Sequence, residues 1–312
     1  RQRQMCIRDR YETLLKAFDR ENEVFKKRVG KDRVMATYRA RVRARNHVAA
    51  FIKSFYRRSD MSMLELTPDF IKEFAAYLST EAGLRNGSIW ANCMWLKGVV
   101  MKAHYNGLIP RNPFIQFHIS PNVKEREYLT EDELKAVMTH EFADSKLAYI
   151  RDIFIFASFT ALSFVDIQEL TNDNIVEVNG EKWILSKRHK TKVAFQVKLL
   201  DIPLQIVERY RPMQKDNRIF PGLNYWSICK PLKRMIRECG ITKSISFHCS
   251  RHGFATLALS KGMPIESVSR VLGHTNIVTT QLYAKITTQK LDNDLTMFGD
   301  KLSKTFNGIT MS

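Results

Sequence analysis

Towards the C-terminal end of the chain, His248 and Arg251 stand three residues apart in "SFHCSRHGFATLAL". His274 follows in "VLGH", and Tyr283 comes nine residues later in "TNIVTTQLYAKI". Helical positions three apart share a face, so His248 and Arg251 can act on one ligand. A guanidinium offers a planar fork of donors that suits phosphate oxygens, and imidazoles add further donors. A tyrosine hydroxyl can act as a nucleophile and form a covalent intermediate. Taken singly, each residue fits a plainer role: a packing tyrosine beside Leu282, a helix stop at Leu-Gly-His, a structural arginine. Their order and spacing together form a strong signal, in a chain with 50 Lys plus Arg against 32 Asp plus Glu.

The elements that must hold these residues are bounded by the bulk properties. A length of 312 residues suits two domains. The formal net charge of +18 favours a polyanionic partner, nucleic acid before an anionic membrane surface. No apolar run reaches membrane-span length; "IFIFASFTALSF" at 153–164 is short, contains Ser and Thr, and reads as a buried helix. No secretory signal pattern is seen. The five cysteines are odd in number and include no C-x-x-C pair, which suggests reduced thiols in a cytoplasm rather than a disulfide frame or a zinc site. The first residue is not Met and residues 1–10 show no clear pattern, so the start of the natural chain is expected to be missing or altered.

Residues 11–109 read as four helices without a strand pattern. In "MATYRARVRARNHVAAFIKSFY", Arg39, Arg41, Arg43 and Arg45 fall on two roughly opposite faces, with Tyr38, Val42 and Ala49 as a stripe between them. Thr67 is a candidate N-cap before Pro68. A further helix is expected from near Ser88 to Asn106-Gly107. Pro110, Pro113 and Pro121 break the periodicity, and 110–125 reads as a linker. A second domain over 126–290 begins at Thr130, three residues before Glu133, in a capping-box pattern. Asn179-Gly180 marks a hairpin in a small antiparallel sheet, and a second reversal falls in "KRHKTK". Helix follows to the end, with His274 at a helix C-terminus and Tyr283 on a new helix. The fold class is mainly α with a small antiparallel sheet.

The ordered set His-x-x-Arg, Leu-Gly-His and Tyr resembles the catalytic core of the tyrosine recombinases, the phage-integrase family. The resemblance covers roughly residues 11–290. It implies a SAM-like helical core-binding domain and a catalytic domain of DNA-breaking-rejoining fold, forming a C-shaped clamp on double-stranded DNA. It implies strand cleavage through a 3′-phosphotyrosine, without metal or other cofactor. By resemblance Tyr283 is the nucleophile, Arg251 and His248 hold the scissile phosphate, and His274 donates to it. The family's general acid is a Lys on the second turn of the sheet; Lys190 matches best, with Lys187 and Lys192 as competitors or phosphate contacts.

One position departs from the family. Its first catalytic Arg sits in a Thr-Gly-Leu-Arg element, and the matching "FTALSFVDIQELT" has Ser163 there. A hydroxyl cannot replace a bidentate cation. Either catalysis is impaired, or another arginine reaches the phosphate, with Arg188 best placed. The Thr-x-Leu-Ser form is similar to integrases of Bacteroides-type conjugative transposons, an active subgroup. Asp166 has a structural or orienting place in that helix. Candidate phosphate contacts in the helical domain are Arg39, Arg41, Arg43, Arg45, Lys97 and Lys102. The tail 291–312 carries Leu291, Leu295, Met297, Phe298 and Leu302, which suit a helix docking on a neighbouring protomer in a tetramer on paired sites. Accessory DNA-bending proteins and a place at the bacterial nucleoid follow from the same resemblance. The alternatives are a catalytically degenerate DNA-binding relative and a relaxase of the type IB topoisomerase kind.

Overall fold

The computed structural model describes residues 12–121, 127–189, 192–214, 216–283 and 288–305. The chain divides between residues 124 and 125 into two compact units, each built around its own core.

The N-terminal unit contains α1 (Leu14–Lys26), α2 (Met35–Tyr56), α3 (Pro68–Thr80) and α4 (Asn86–Tyr105). Pro68 opens α3 at the first helical position, where its missing N–H leaves no bond unmade. Phe18, Phe51, Phe70 and Phe74 are fully buried at its centre, and the Phe51 and Phe70 rings meet edge-on, 5.2 Å apart. The buried stripe of α2 is Arg41, Ala44, Val48, Phe51 and Ile52. The stripe expected through Tyr38, Val42 and Ala49 is only half-buried. It was misplaced because Arg41, a charged residue, takes an inward position.

The boundary expected at residue 110 also needs correction. Phe114 is fully buried in this core, with Phe117 and Ile119 packed against it. Lys97 Nζ donates to the carbonyl oxygen of Phe117 at 2.7 Å. The prolines stop the helix, but the apolar side chains between and after them still belong to the unit.

The C-terminal unit opens at the expected capping box. Thr130 N–H donates to Glu133 Oε2 (2.7 Å) and Glu133 N–H to Thr130 Oγ1 (3.3 Å), which starts α5 (Glu131–Thr139). The long apolar helix is α6 (Ser145–Thr160), whose buried residues lie all round it. It is central because α8 (Asp201–Tyr210), α9 (Tyr225–Glu238) and α10 (Cys249–Ser260) all pack on it. Between α6 and α8 come the short α7 (Phe164–Gln168) and a sheet of order β1-β2-β3, formed by β1 (Ile175–Val178), β2 (Glu181–Lys187) and β3 (Ala194–Lys198). Both pairings are antiparallel. The β1–β2 turn is Asn179-Gly180, with φ of 53° and 78°, the left-handed pair that two-residue hairpins require.

After α10 come α11 (Ile265–Leu272), α12 (Val278–Gln281) and α13 (Thr288–Thr305). Tyr283 was expected on a helix; it lies in the turn just past α12. Among the described residues, no helix is long and apolar enough to cross a membrane.

Candidate active site

His248 is the N-cap residue of α10, and Arg251 lies in the first turn of that helix. Arg251 is buried, and its guanidinium is held by backbone carbonyls. Nη1 donates to Ala161 O at 2.8 Å and Nη2 to Leu272 O. Both acceptors sit at helix C-termini, where carbonyls lack intrahelical partners and the helix dipole is negative. Ala161 ends α6 in the left-handed region, with φ of 56°, which turns its carbonyl onto the arginine. Burial first, and then nearby Arg188, lower the Arg251 pKa to about 10 against the opposing pull of Tyr283 and Asp166. Arg251 therefore stays charged at neutral pH.

Arg188 comes from another direction. Its N–H donates to Val193 O (2.8 Å) and its C=O accepts from Lys192 N–H (2.8 Å), closing the turn between β2 and β3. Its side chain is only 6% exposed. Nη1 donates to Asp166 Oδ2 at 2.8 Å, Nη2 donates to Val271 O, and the guanidinium lies 4.0 Å from the Phe195 ring centre. The same Asp166 carboxylate accepts from Ser163 Oγ (2.8 Å) and from His189 N–H (2.9 Å). Ser163 and Arg188 thus share one carboxylate, and Ser163 itself N-caps α7. Burial raises the Asp166 pKa, but the bonds from His189, Arg188 and Ser163 outweigh it and hold the carboxyl below its ordinary value. Burial also lowers the Arg188 pKa, opposed by Asp166.

The Leu-Gly-His element has a double reason for its glycine. Gly273 ends α11 with φ of 64°, and a Cβ there would meet Arg188 Cγ and Nε at 3.0 Å. His274 follows, with its N–H on Ser269 O (3.0 Å) and its Nδ1 2.9 Å from Thr280 Oγ1. Burial, followed by the charges of Arg251, Arg188 and His248, pushes the His274 pKa down to about 4. The ring is therefore neutral near pH 7. Tyr283 packs on the cluster of Ala255, Leu259, Val268 and Leu272. Its ring centre is 5.0 Å from that of His252, which is 4.8 Å from that of His248.

The structure therefore gathers Arg251, Arg188, His274, His248 and Tyr283 from α10, the β2–β3 turn, the end of α11 and the turn after α12. Lys190, the expected general acid, lies outside the described residues. Lys187 and Lys192, on either side of it, are exposed. Sequence reasoning missed His252 and Thr280. His252 is four residues after His248 and shares its helix face, a signal that the pairing of His248 with Arg251 left unused, and Thr280 sits in an unremarkable Thr-Thr run. Among the described residues, no group of three or more His, Cys, Asp or Glu is placed to hold a metal ion.

The expected phosphate contacts of the N-terminal unit divide. Arg39 and Arg43 are exposed. Arg41 is a correction: it is buried, bonds Asn22 Oδ1 at 3.0 Å, and lies over the Phe25 and Trp95 rings at 5.1 and 4.9 Å. Arg45 makes two 2.8 Å bonds to Asp19, and Lys102 pairs with Glu21. Lys97 is engaged with the carbonyls of the 114–119 segment.

Residues 127–290 match the phage integrase family, and residues 13–119 match the phage integrase SAM-like domain. The chain belongs to the phage integrase family of tyrosine recombinases, site-specific enzymes that cleave and rejoin DNA. It is 32% identical over 177 residues to tyrosine recombinase XerA of Pyrococcus horikoshii, a match spanning 52% of this chain and 58% of that one. With XerC of Lactobacillus leichmannii it shares 25% identity over 229 residues, 69% of this chain and 77% of that one. Its fold is similar to that of the Tn1549 transposon integrase solved with a circular-intermediate DNA (TM-score 0.76, 17% identity, 91% of this chain and 99% of that one). A lambda integrase dimer bound to a core site is also similar (TM-score 0.69, 18% identity, 91% and 80% covered).

Proposed function

We propose that this chain is the recombinase of a mobile element, an integrase or invertase, and that Tyr283 is its nucleophile. The tyrosine oxygen bonds the scissile phosphorus as its proton passes to solvent, giving a 3′-phosphotyrosine, while the bond to the 5′-oxygen breaks and that oxygen takes a proton from Lys190. Arg251, His248 and His274 donate to the non-bridging oxygens. The observation that carries this reading is the convergence of two buried cations, Arg251 and Arg188, with His274 and Tyr283, while the Asp166 carboxylate is bonded to Arg188. Such a surplus of positive charge suits a phosphodiester whose negative charge grows in the transition state.

Arg188 takes the part of the cation missing at Ser163. The Asp166 carboxylate shared by Ser163 and Arg188 supports that assignment, and with it a kinship to the Bacteroides-type conjugative-transposon integrases. Arg39 and Arg43, exposed on α2, are the N-terminal unit's foremost phosphate contacts. Double-stranded DNA is the substrate. A tetramer on paired sites is the working assembly, aided by DNA-bending accessory proteins at the nucleoid in the cytoplasm. The exposed Leu291, Leu295, Phe298 and Leu302 of α13, spaced along one helix face, suit docking between protomers.

The test is covalent trapping on a nicked duplex that carries the element's own junction. The expected result is a protein–DNA adduct that survives detergent, is indifferent to EDTA, and disappears in Tyr283→Phe. An adduct in Tyr283→Phe would move the nucleophile. No adduct from the unmodified chain would favour a degenerate DNA-binding protein. In Lys190→Ala, a 5′-bridging phosphorothiolate, whose leaving group needs no proton, should restore cleavage.

A further inference from the structure

Thr280 is fully buried, and its hydroxyl oxygen lies 2.9 Å from His274 Nδ1. Its carbonyl accepts the N–H of Tyr283 at 3.0 Å. One residue thus touches both the imidazole beside the arginines and the turn that bears the tyrosine. We propose that Thr280 is a positioning residue whose hydroxyl donates to His274 Nδ1 and fixes the Nε2–H tautomer, so that His274 can donate to phosphate only while the Tyr283 segment is docked. This deepens the recombinase reading above and rests on it.

A neutral imidazole has one N–H and one lone pair. His274 is neutral near pH 7, so the group on Nδ1 decides what Nε2 presents. If Nδ1 carried the proton and gave it to Thr280, Nε2 would turn a lone pair towards an anionic oxygen. If Thr280 donates instead, Nε2–H becomes a donor. Among the described residues, His274 is the hydrogen-bond partner of the Thr280 hydroxyl. α12 spans only Val278–Gln281, too short to be stable without its packing. Undocking it would remove the Thr280 hydroxyl and Tyr283 together. The chain then has an interlock: a site without its nucleophile also loses the defined donor at His274.

The test uses the full chain with Thr280→Val, which keeps the shape and removes the hydroxyl, and Thr280→Ser, which keeps the hydroxyl. ¹⁵N shifts of the His274 ring report the tautomer, and single-turnover trapping on saturating nicked duplex reports cleavage. The expected result is an Nε2–H ring in the unmodified chain and in Thr280→Ser. Thr280→Val should show a mixed or Nδ1–H ring, with cleavage slower by about tenfold or more and duplex affinity unchanged. An unchanged tautomer in Thr280→Val overturns the proposal, whatever its rate. So does an equal loss of rate in both variants with the ring unaltered, which would mark a packing role. If the unmodified chain forms no adduct, the recombinase reading fails, whereas the ring shifts still decide whether Thr280 sets the tautomer.

Discussion

Both units bury arginines, and they treat them in opposite ways. In the N-terminal unit, Arg41 lies over two aromatic rings, bonds Asn22, and is drawn to the nearby charge of Glu21. Two other cations of the unit have carboxylate partners, Arg45 with Asp19 and Lys102, on α4, with Glu21. In the C-terminal unit, among the described residues, the hydrogen-bond partners of Arg251 are carbonyl dipoles, and Arg188 shares Asp166 with Ser163 and His189. The two guanidiniums lower rather than raise the His274 pKa. Arg41, laid over rings and bonded to a neutral amide with Glu21 nearby, is architecture. A cluster held rigidly by dipoles, with its charge in surplus, is preorganised for an anion.

The contrast can be broken most severely at Arg251. Arg251→Ala should lower single-turnover cleavage by at least about 10³-fold at saturating DNA, as expected for a donor to the developing charge. Arg41→Met should leave the cleavage rate of the folded protein unchanged and cost about 1–3 kcal/mol of stability in denaturant titration, because Asn22 loses its partner. A rate loss in Arg41→Met comparable to that of Arg251→Ala would erase the distinction.

Arg188 should fall next. Arg188→Ala is expected to lose about 10²–10³ in rate while still binding DNA. It should also be destabilised by roughly 3–5 kcal/mol, since Asp166 is left buried and unpaired. Rates should therefore be referred to the folded fraction. Ser163→Ala should be mild. Combining Ser163→Arg with Arg188→Ala should regain part of the rate, because a cation returns beside the same carboxylate. Near-normal recombination by Arg188→Ala would assign the second cation elsewhere.

A smaller effect sharpens the N-terminal side. Arg39→Ala and Arg43→Ala should each weaken duplex binding and lower the slope of log affinity against log salt by about one. Arg45→Ala, already matched to Asp19, should barely change that slope. Equal slopes for all three would mean that pairing within the unit does not decide which arginines meet DNA.

The least effect concerns pH. The folded-state pKa of His274 is about 4, below its ordinary 6.5. As pH falls, the unfolded chain takes up this proton first, so stability present above pH 6.5 should be lost progressively down to about pH 4. His274→Asn should flatten that part of the stability profile in acid titrations. An unaltered slope would show that burial and the neighbouring charges do not hold the ring neutral in the folded protein.

Local signals in the sequence determined much of this molecule. The Thr130–Glu133 box and the Asn179-Gly180 turn need partners no more than three residues away, and both formed as read. The order of His248, Arg251, His274 and Tyr283 carried the resemblance to the family that the comparisons show, and Ser163 raised the expectation of a cation from elsewhere. Only the tertiary structure decided which charges are matched and which remain in surplus. Asn22 is 19 residues from Arg41, Asp166 is 22 from Arg188, and Ala161 is 90 from Arg251. Distance along the chain also hid the burial of Phe114 beyond its prolines; Thr280 is only six residues from His274, but the turn that brings them together carries no local signal. A charge is neutralised by whatever packs beside it, and for these residues that neighbour comes from another element, brought in only when the cores close.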